Sequence, residues 1–154
     1  EMSRGLGDVY KRQIFKGVVS DGKTRAINSF GVQLTGHAGL FSTAGDMAKL
    51  AMALMEEKVL SIESLKKIGI NRTGKMIGEN DVTQFHGYLC YSKNPIEMNS
   101  EVNHFLSGNA FALGGYTGNQ LTIDIENGVY VFFASNRCHN RVTNITGAAE
   151  KDYV

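Results

Sequence analysis

The chain has almost no net charge, almost no proline and no long apolar run, and each shortage excludes a class of protein. Lys and Arg number 16 against 15 Asp and Glu, a formal charge of +1. A nucleic-acid-binding surface needs a clustered basic excess, and none is present. No apolar stretch approaches the ~18 residues that span a bilayer. No charged-apolar-small signal pattern opens the sequence. Cysteine is scarce too. Cys90 and Cys138 are 48 positions apart and form no Cys-x-x-Cys, which leaves either a disulfide or two buried thiols. Pro95 is the single proline against 18 glycines, so glycine supplies the punctuation. There is no internal repeat and no low-complexity tract. What is there is ordinary: 154 residues, 42% apolar and 20% charged, enough for one domain with a real core and too little for two.

Residues 1–13 read Glu-Met-Ser-Arg-Gly-Leu-Gly-Asp-Val-Tyr-Lys-Arg-Gln. The string resembles one reading frame of a transposase-type sequencing-library adapter, and foreign segments are set aside before fold reasoning. The alternative is a genuine polar tail. Leaving Arg4, Lys11, Arg12, Glu1 and Asp8 out of the count gives 13 charges of each sign, so residues 14–154 are neutral. On this reading residues 1–13 are an artefact, residues 14–154 are the C-terminal portion of one domain, and native sequence is missing upstream of Ile14.

Residues 15–36 are turn-rich and show no sustained periodicity. The clearest helix follows. Thr43 suits an N-cap, Asp46 sits in the first turn, and Met47, Leu50, Ala51 and Leu54 repeat at helical spacing. A shorter helix runs from a Ser61 cap through Ile62, Leu65 and Ile68 to a stop at Gly69. Phe85 to Tyr91 reads as a strand, with a turn at Asn94-Pro95. Leu121, Ile123 and Ile125 alternate with polar residues, and Val129 to Ala134 is a run of strand formers that includes Phe132 and Phe133, expected in the core. Asn127-Gly128 between them predicts a tight hairpin whose two central residues both take positive φ. Residues 141–154 open a helix.

Two stretches carry a family resemblance. Gly36-His37-Ala38-Gly39-Leu40-Phe41-Ser42-Thr43-Ala44-Gly45-Asp46-Met47-Ala48 resembles the Gly-His-Ala-Gly-Leu-Phe-Ser-Thr-Ala-x-Asp-Leu-Ala segment of class C β-lactamase-like serine hydrolases. Gly17-Val18-Val19-Ser20-Asp21 is similar to the Gly-x-Val-His-Asp that precedes it there, with Ser20 in place of His. Gly115-Tyr116-Thr117-Gly118, Ile123-Asp124 and Asn136-Arg137-Cys138-His139 resemble that group's Gly-Phe-Thr-Gly…Ile-Asp…Asn-Arg-x-His ending. The resemblance implies an α+β fold, the C-terminal part of a β-lactamase/transpeptidase-like domain in which helices flank an antiparallel sheet, here incomplete. It also implies acyl-enzyme hydrolysis of a small-molecule or peptide substrate, no cofactor, and an extracytoplasmic setting.

That chemistry requires a Ser-x-x-Lys nucleophile, a Tyr-x-Asn or Ser-x-Asn, and a Lys/His-Thr-Gly on the strand beside the oxyanion hole. Ser20…Lys23 and Ser64…Lys67 match the first by letters alone, one lying in a turn and the other on the outer face of a short helix. Ser92…Asn94 and Ser107…Asn109 come too late in the order, Arg72-Thr73-Gly74 is misplaced, and no Tyr-x-Asn occurs. The nucleophile is therefore expected upstream of Ile14, and the chain alone is expected to be inactive. Leu113-Gly114-Gly115 stands where Lys/His-Thr-Gly belongs. Leucine offers a carboxylate neither charge nor a hydrogen bond, whereas the Tyr116 N–H remains an oxyanion donor because that role is main-chain. Leu113, Gly114, Gly115 and Tyr116 are the expected oxyanion and substrate strand. His37 is either cleft-adjacent or structural, and Arg137 either binds a carboxylate or fixes the strand exit. His37, His86, His104 and His139 lack metal-ligand spacing. The other reading is a non-catalytic penicillin-binding-like module that holds peptidoglycan or peptide. An incomplete sheet also predicts an exposed strand edge and poor solubility.

Overall fold

A computed structural model describes residues 17–31, 35–79, 82–97 and 100–136. The chain divides into two compact units, one of residues Ser42–Ser135, the other drawn from residues up to Phe41 and from Asn136 onward. The N-terminal 1–13 segment, Arg137, Cys138, His139 and the helix expected over 141–154 lie outside the described residues.

In the second of these units, helix α1 spans Gly22–Ser29, where the aperiodic sequence gave no reason to expect one. The cap explains it. The Asp21 carboxylate accepts the Thr24 N–H at 2.7 Å, and the Arg25 guanidinium donates to the Val19 and Ser20 carbonyls at 2.7 and 2.9 Å. Only Gly22 and Thr24 of the helix are buried. Local hydrogen bonds, not an amphipathic stripe, define it.

In the Ser42–Ser135 unit, α2 spans Ala44–Met55 and α3 spans Ile62–Ile68. Thr43 caps α2 through the Asp46 N–H at 3.1 Å, and Ser61 caps α3 through the Ser64 N–H. Met47, Ala51, Leu54 and Met55 face the core, while Leu50 is 41% exposed, so the buried stripe of α2 is turned slightly from the expected one. After α3 comes a four-stranded antiparallel sheet in the order β1 (Tyr91–Ser92), β2 (Phe111–Gly114), β3 (Gln120–Asp124), β4 (Val129–Phe133). Phe111, Ile123 and Tyr130 are in register across β2, β3 and β4, as are Leu113, Leu121 and Phe132. Because side chains alternate between faces, these rows share one side, where Phe111, Leu121 and Ile123 meet Ala51 and Leu65. Ala112 lies on the opposite side in a second cluster with Val102 and Ala110.

Three expectations change. Phe85 to Tyr91 is not one strand but a tight reversal. His86 bridges Tyr91, the Gly87 N–H donates to the Cys90 carbonyl at 2.9 Å, and Leu89 sits at φ 60°. A methyl group on Gly87 would overlap the Ile68 carbonyl, so this reversal presses backbone against the end of α3. Phe133 is 62% exposed, because alternation along β4 turns Tyr130 and Phe132 inward and Val129, Val131 and Phe133 outward. The β3–β4 hairpin forms, but its connection is the four residues 125–128, and among them only Gly128 takes positive φ, at 65°.

The turn differs from the expected one because Asp124 holds it. The Asp124 carboxylate is 1% exposed and accepts from the Ser107 N–H and hydroxyl at 2.8 and 2.7 Å, and from the Asn127 Nδ2 and N–H at 2.7 and 3.3 Å. Burial pushes this carboxyl up, but the bonds from Ser107 and Asn127 outweigh it and hold it below the ordinary value. A depressed native pKa stabilises the fold above the unfolded value of about 4, and that contribution is lost as pH falls through the lower native value. Asp124→Asn should therefore cost about 1.5–3 kcal/mol at neutral pH, with a shallower loss of stability on acidification than the native chain; parallel acid titrations of urea midpoints, with equal slopes in the two proteins, would contradict this.

Ser92 presents the reverse case. It is 2% exposed, its register partner is Phe111, and its hydroxyl has no hydrogen-bond partner. An unsatisfied buried hydroxyl costs about 1–3 kcal/mol. Ser92→Ala should raise the urea midpoint, and a clear fall would show that the hydroxyl is satisfied after all.

Candidate active-site strand

Strand β2 and the turn that leaves it contain the residues where the third sequence motif was sought. Leu113 pairs with Leu121 and Gly114 with Gln120, the last rung of the ladder. The chain then reverses. The Gly115 N–H donates to the Asn119 carbonyl at 2.8 Å, the Gly118 N–H to the Gly115 carbonyl at 2.9 Å, and Gly118 takes φ 91°. Asn119 fixes the reversal from two sides. Its Nδ2 donates to the Thr117 hydroxyl at 2.9 Å, and its Oδ1 accepts the Ser135 N–H at 2.8 Å, tying the turn to the exit of β4.

Leu113 and Tyr116 are 53% and 67% exposed, so both present side chains to solvent at this end of the sheet. A Cβ on Gly114 would stand 3.5 Å from the Tyr91 ring, and one on Gly115 would stand 3.7 Å from the Asn119 carbonyl. Both are ordinary contacts. Packing therefore does not require glycine at either position, and nothing steric explains the departure from Thr-Gly.

The other stretch falls in both units. Thr43 to Ala48 caps and begins α2. Upstream, Gly39 adopts φ 106°, and a Cβ there would crowd the Thr24 methyl at 2.9 Å. His37, exposed over 60% of its side chain, sits 3.5 Å by Nε2 from Asp21 Oδ1. Burial pushes the Asp21 carboxyl up, yet the bond from the Thr24 N–H and the nearby His37 hold it below its ordinary value. His37 thus meets the carboxylate that caps α1, which favours the structural of its two readings.

The letter-matches to catalytic motifs separate by environment. Ser20 precedes the Asp21 cap and lies outside the helix that holds Lys23, so the two do not share a helical turn. Ser64 and Lys67 are both exposed on α3, and the Ser64 hydroxyl bonds that of Ser61 at 3.0 Å. Ser107 is engaged by Asp124, and the Asn109 amide donates to Glu126. Asn94 is buried, its Oδ1 accepts the Ile96 N–H at 2.9 Å, and its carbonyl meets His104 Nε2 at 2.8 Å. The Arg72 guanidinium lies 5.0 Å above the Tyr88 ring. Cys90 is a free, half-buried thiol whose pKa burial raises. Among the described residues no group of three or more His, Cys, Asp or Glu is arranged to hold a metal, and no helix is long and apolar enough to cross a membrane. Sequence reading missed the roles of Asp21 and Asp124. The signal available for Asp21 was its place three residues before Thr24, the spacing of a side-chain cap.

A helix capped at Thr43 in the Ser-Thr-Ala-Gly-Asp segment and an antiparallel strand followed by the Gly-Tyr-Thr-Gly turn belong to an α+β arrangement of helices and sheet. The chain belongs to the β-lactamase family, matching the Beta-lactamase family over residues 6–152. No curated protein and no solved structure matches it.

Asp21→Ala removes both the α1 cap and the carboxylate facing His37. It should lower the stability of α1 by about 1 kcal/mol, read as roughly fivefold faster amide exchange at Thr24 and Arg25, with β3 amides unchanged; equal exchange in both proteins would rule out the cap.

Proposed function

We propose that this chain is one wall of an acyl-transferring serine hydrolase, with the nucleophile supplied by residues outside this sequence. Family membership supports the class. The observation that carries the finer reading is the end of β2, where Leu113 and Tyr116 are solvent-exposed and the glycines between them keep the main chain approachable. In the whole protein Leu113, Gly114 and Gly115 line the acyl group, and the main chain at Tyr116 donates to the developing oxyanion. An exposed leucine in place of a cationic or hydrogen-bonding residue suits neutral small-molecule or peptide substrates, esters and amides, better than acids. His37 is a positioning residue in this scheme. Arg137 is retained as a candidate carboxylate ligand on sequence grounds alone, and the N-terminal 1–13 as foreign to the domain.

Among the described residues no serine combines burial, a lysine and a helix terminus in the way acylation requires. The chain alone should therefore turn over neither nitrocefin nor p-nitrophenyl esters, and a fluorophosphonate probe should leave its mass unchanged. Turnover that disappears in Ser20→Ala or Ser64→Ala would overturn the proposal.

Leu113 also favours a second reading, a penicillin-binding-like module that holds peptidoglycan or peptide without chemistry. Saturable binding of a fluorescent stem peptide, weakened by Leu113→Asp and accompanied by no acylation, would select it over the hydrolase.

A further inference from the structure

We propose that Asn127 is a site of spontaneous deamidation, and that the carboxylate this reaction leaves opens the clamp on Asp124. Asn127-Gly128 is the one Asn-Gly pair in the sequence. Both residues are exposed in the four-residue connection between β3 and β4. Nothing lies within 4 Å of where a Gly128 Cβ would stand, and the Gly128 N–H makes no hydrogen bond among the described residues. The nitrogen beside the Asn127 side chain is thus neither shielded by a following side chain nor tied into the ladder.

The step balances with water as its only co-reactant. The Gly128 nitrogen gives up its proton to solvent base and attacks Asn127 Cγ. The N–Cγ bond forms, the Cγ–Nδ2 bond breaks, and Nδ2 departs as ammonia with a proton from water. Water then adds to either carbonyl of the resulting five-membered imide and opens it to an aspartate or an isoaspartate. No electron is gained or lost.

The location of the amide makes the reaction consequential. Its Nδ2 is the atom that donates to Asp124 Oδ2 at 2.7 Å, and the Asn127 N–H reaches Oδ1 at 3.3 Å. Conversion replaces a donor with a second carboxylate at the same distance from a carboxylate that is 1% exposed. Two such groups resist being ionised together. Glu126, whose Oε1 takes the Asn109 amide, is the other acidic side chain of the connection, and no cation pairs with it or with Asp124 among the described residues. Asp124 would lose its short bond from the Asn127 side chain and keep those from Ser107 and the longer one from the residue-127 N–H, so the join between the hairpin turn and the 107 loop would be weakened. The isoaspartate form adds a backbone atom to the turn and moves Gly128 out of register.

Ageing the whole chain in mildly alkaline and in mildly acidic buffer tests this. Site-resolved peptide mass mapping and isoaspartate methylation should show Asn127 converting ahead of Asn71 and Asn109, faster in alkali, and the aged fraction should melt at a lower temperature. Asn127→Asp should reproduce that loss at neutral pH, with a gap to the native chain that narrows as pH falls and one carboxyl of the pair regains a proton. Asn127→Gln should abolish conversion at this position, and if it fails to fold, the site-resolved map of the native chain still decides. Conversion of another asparagine first, or an Asn127→Asp protein that melts where the native chain does, would overturn the proposal.

Discussion

The sheet of this protein hangs on one buried charge. Asp124 ends β3, and its two oxygens receive four donors from two segments 20 residues apart in sequence, Ser107 before β2 and Asn127 after β3. A buried carboxylate with fewer partners would be a liability of several kcal/mol. With four it becomes a fixed point. The loop entering β2, the end of β3 and the turn into β4 are all positioned relative to it. Leu113 lies near the other end of β2, two residues along the strand from Phe111, the register partner of Ile123 beside Asp124.

The legible parts of the fold were those decided by local rules. Thr43 and Ser61 announce their helices because a side-chain oxygen three residues before a backbone N–H is a complete local arrangement, and the structure has both caps where they were expected. The β3–β4 hairpin was legible because Leu121 and Ile123 alternate with polar residues. What failed depended on contacts distant in sequence. Phe85 to Tyr91 carries strand-forming residues, yet Gly87 must lie against the Ile68 carbonyl, and the segment reverses there. Phe133 looked like core because its run is apolar throughout; alternation put it outward. Asn127-Gly128 promised a two-residue turn, and a carboxylate one strand-end away imposed a longer one. Helix α1 was invisible because its support is a cap and an arginine reaching back to two carbonyls, neither of which leaves a periodic trace.

The candidate site was legible in part for the same reason. Membership of the β-lactamase family rests on strings of residues, and those strings lie on defined elements: the α2 cap, the β2 exit, the end of β3. The substitution at Leu113-Gly114-Gly115 was equally plain in the sequence. Its meaning was not, since only the structure shows that a Cβ at Gly114 or Gly115 would meet ordinary contacts. The packing at these two positions would accept a side chain, so glycine is not required there by the fold.

The glycines at 69 and 87 constrain the length of the chain. A Cβ at Gly69 would collide with the Asn109 carbonyl, and one at Gly87 with that of Ile68, so the end of α3 is pinned to both the 85–92 reversal and the approach to β2. The irregular lengths between these pins, residues 71–86 and 93–108, begin and end at stationary places. Within 93–108 a change of length would displace Val102 of the second core cluster and Ser107, which holds Asp124. A single residue added between 110 and 114 would instead exchange the two faces of β2, sending Phe111 out and Ala112 in. The strand bearing Leu113 is thus held to a fixed count by the packing on its two faces, and the stretch before it by the core and clamp residues it carries.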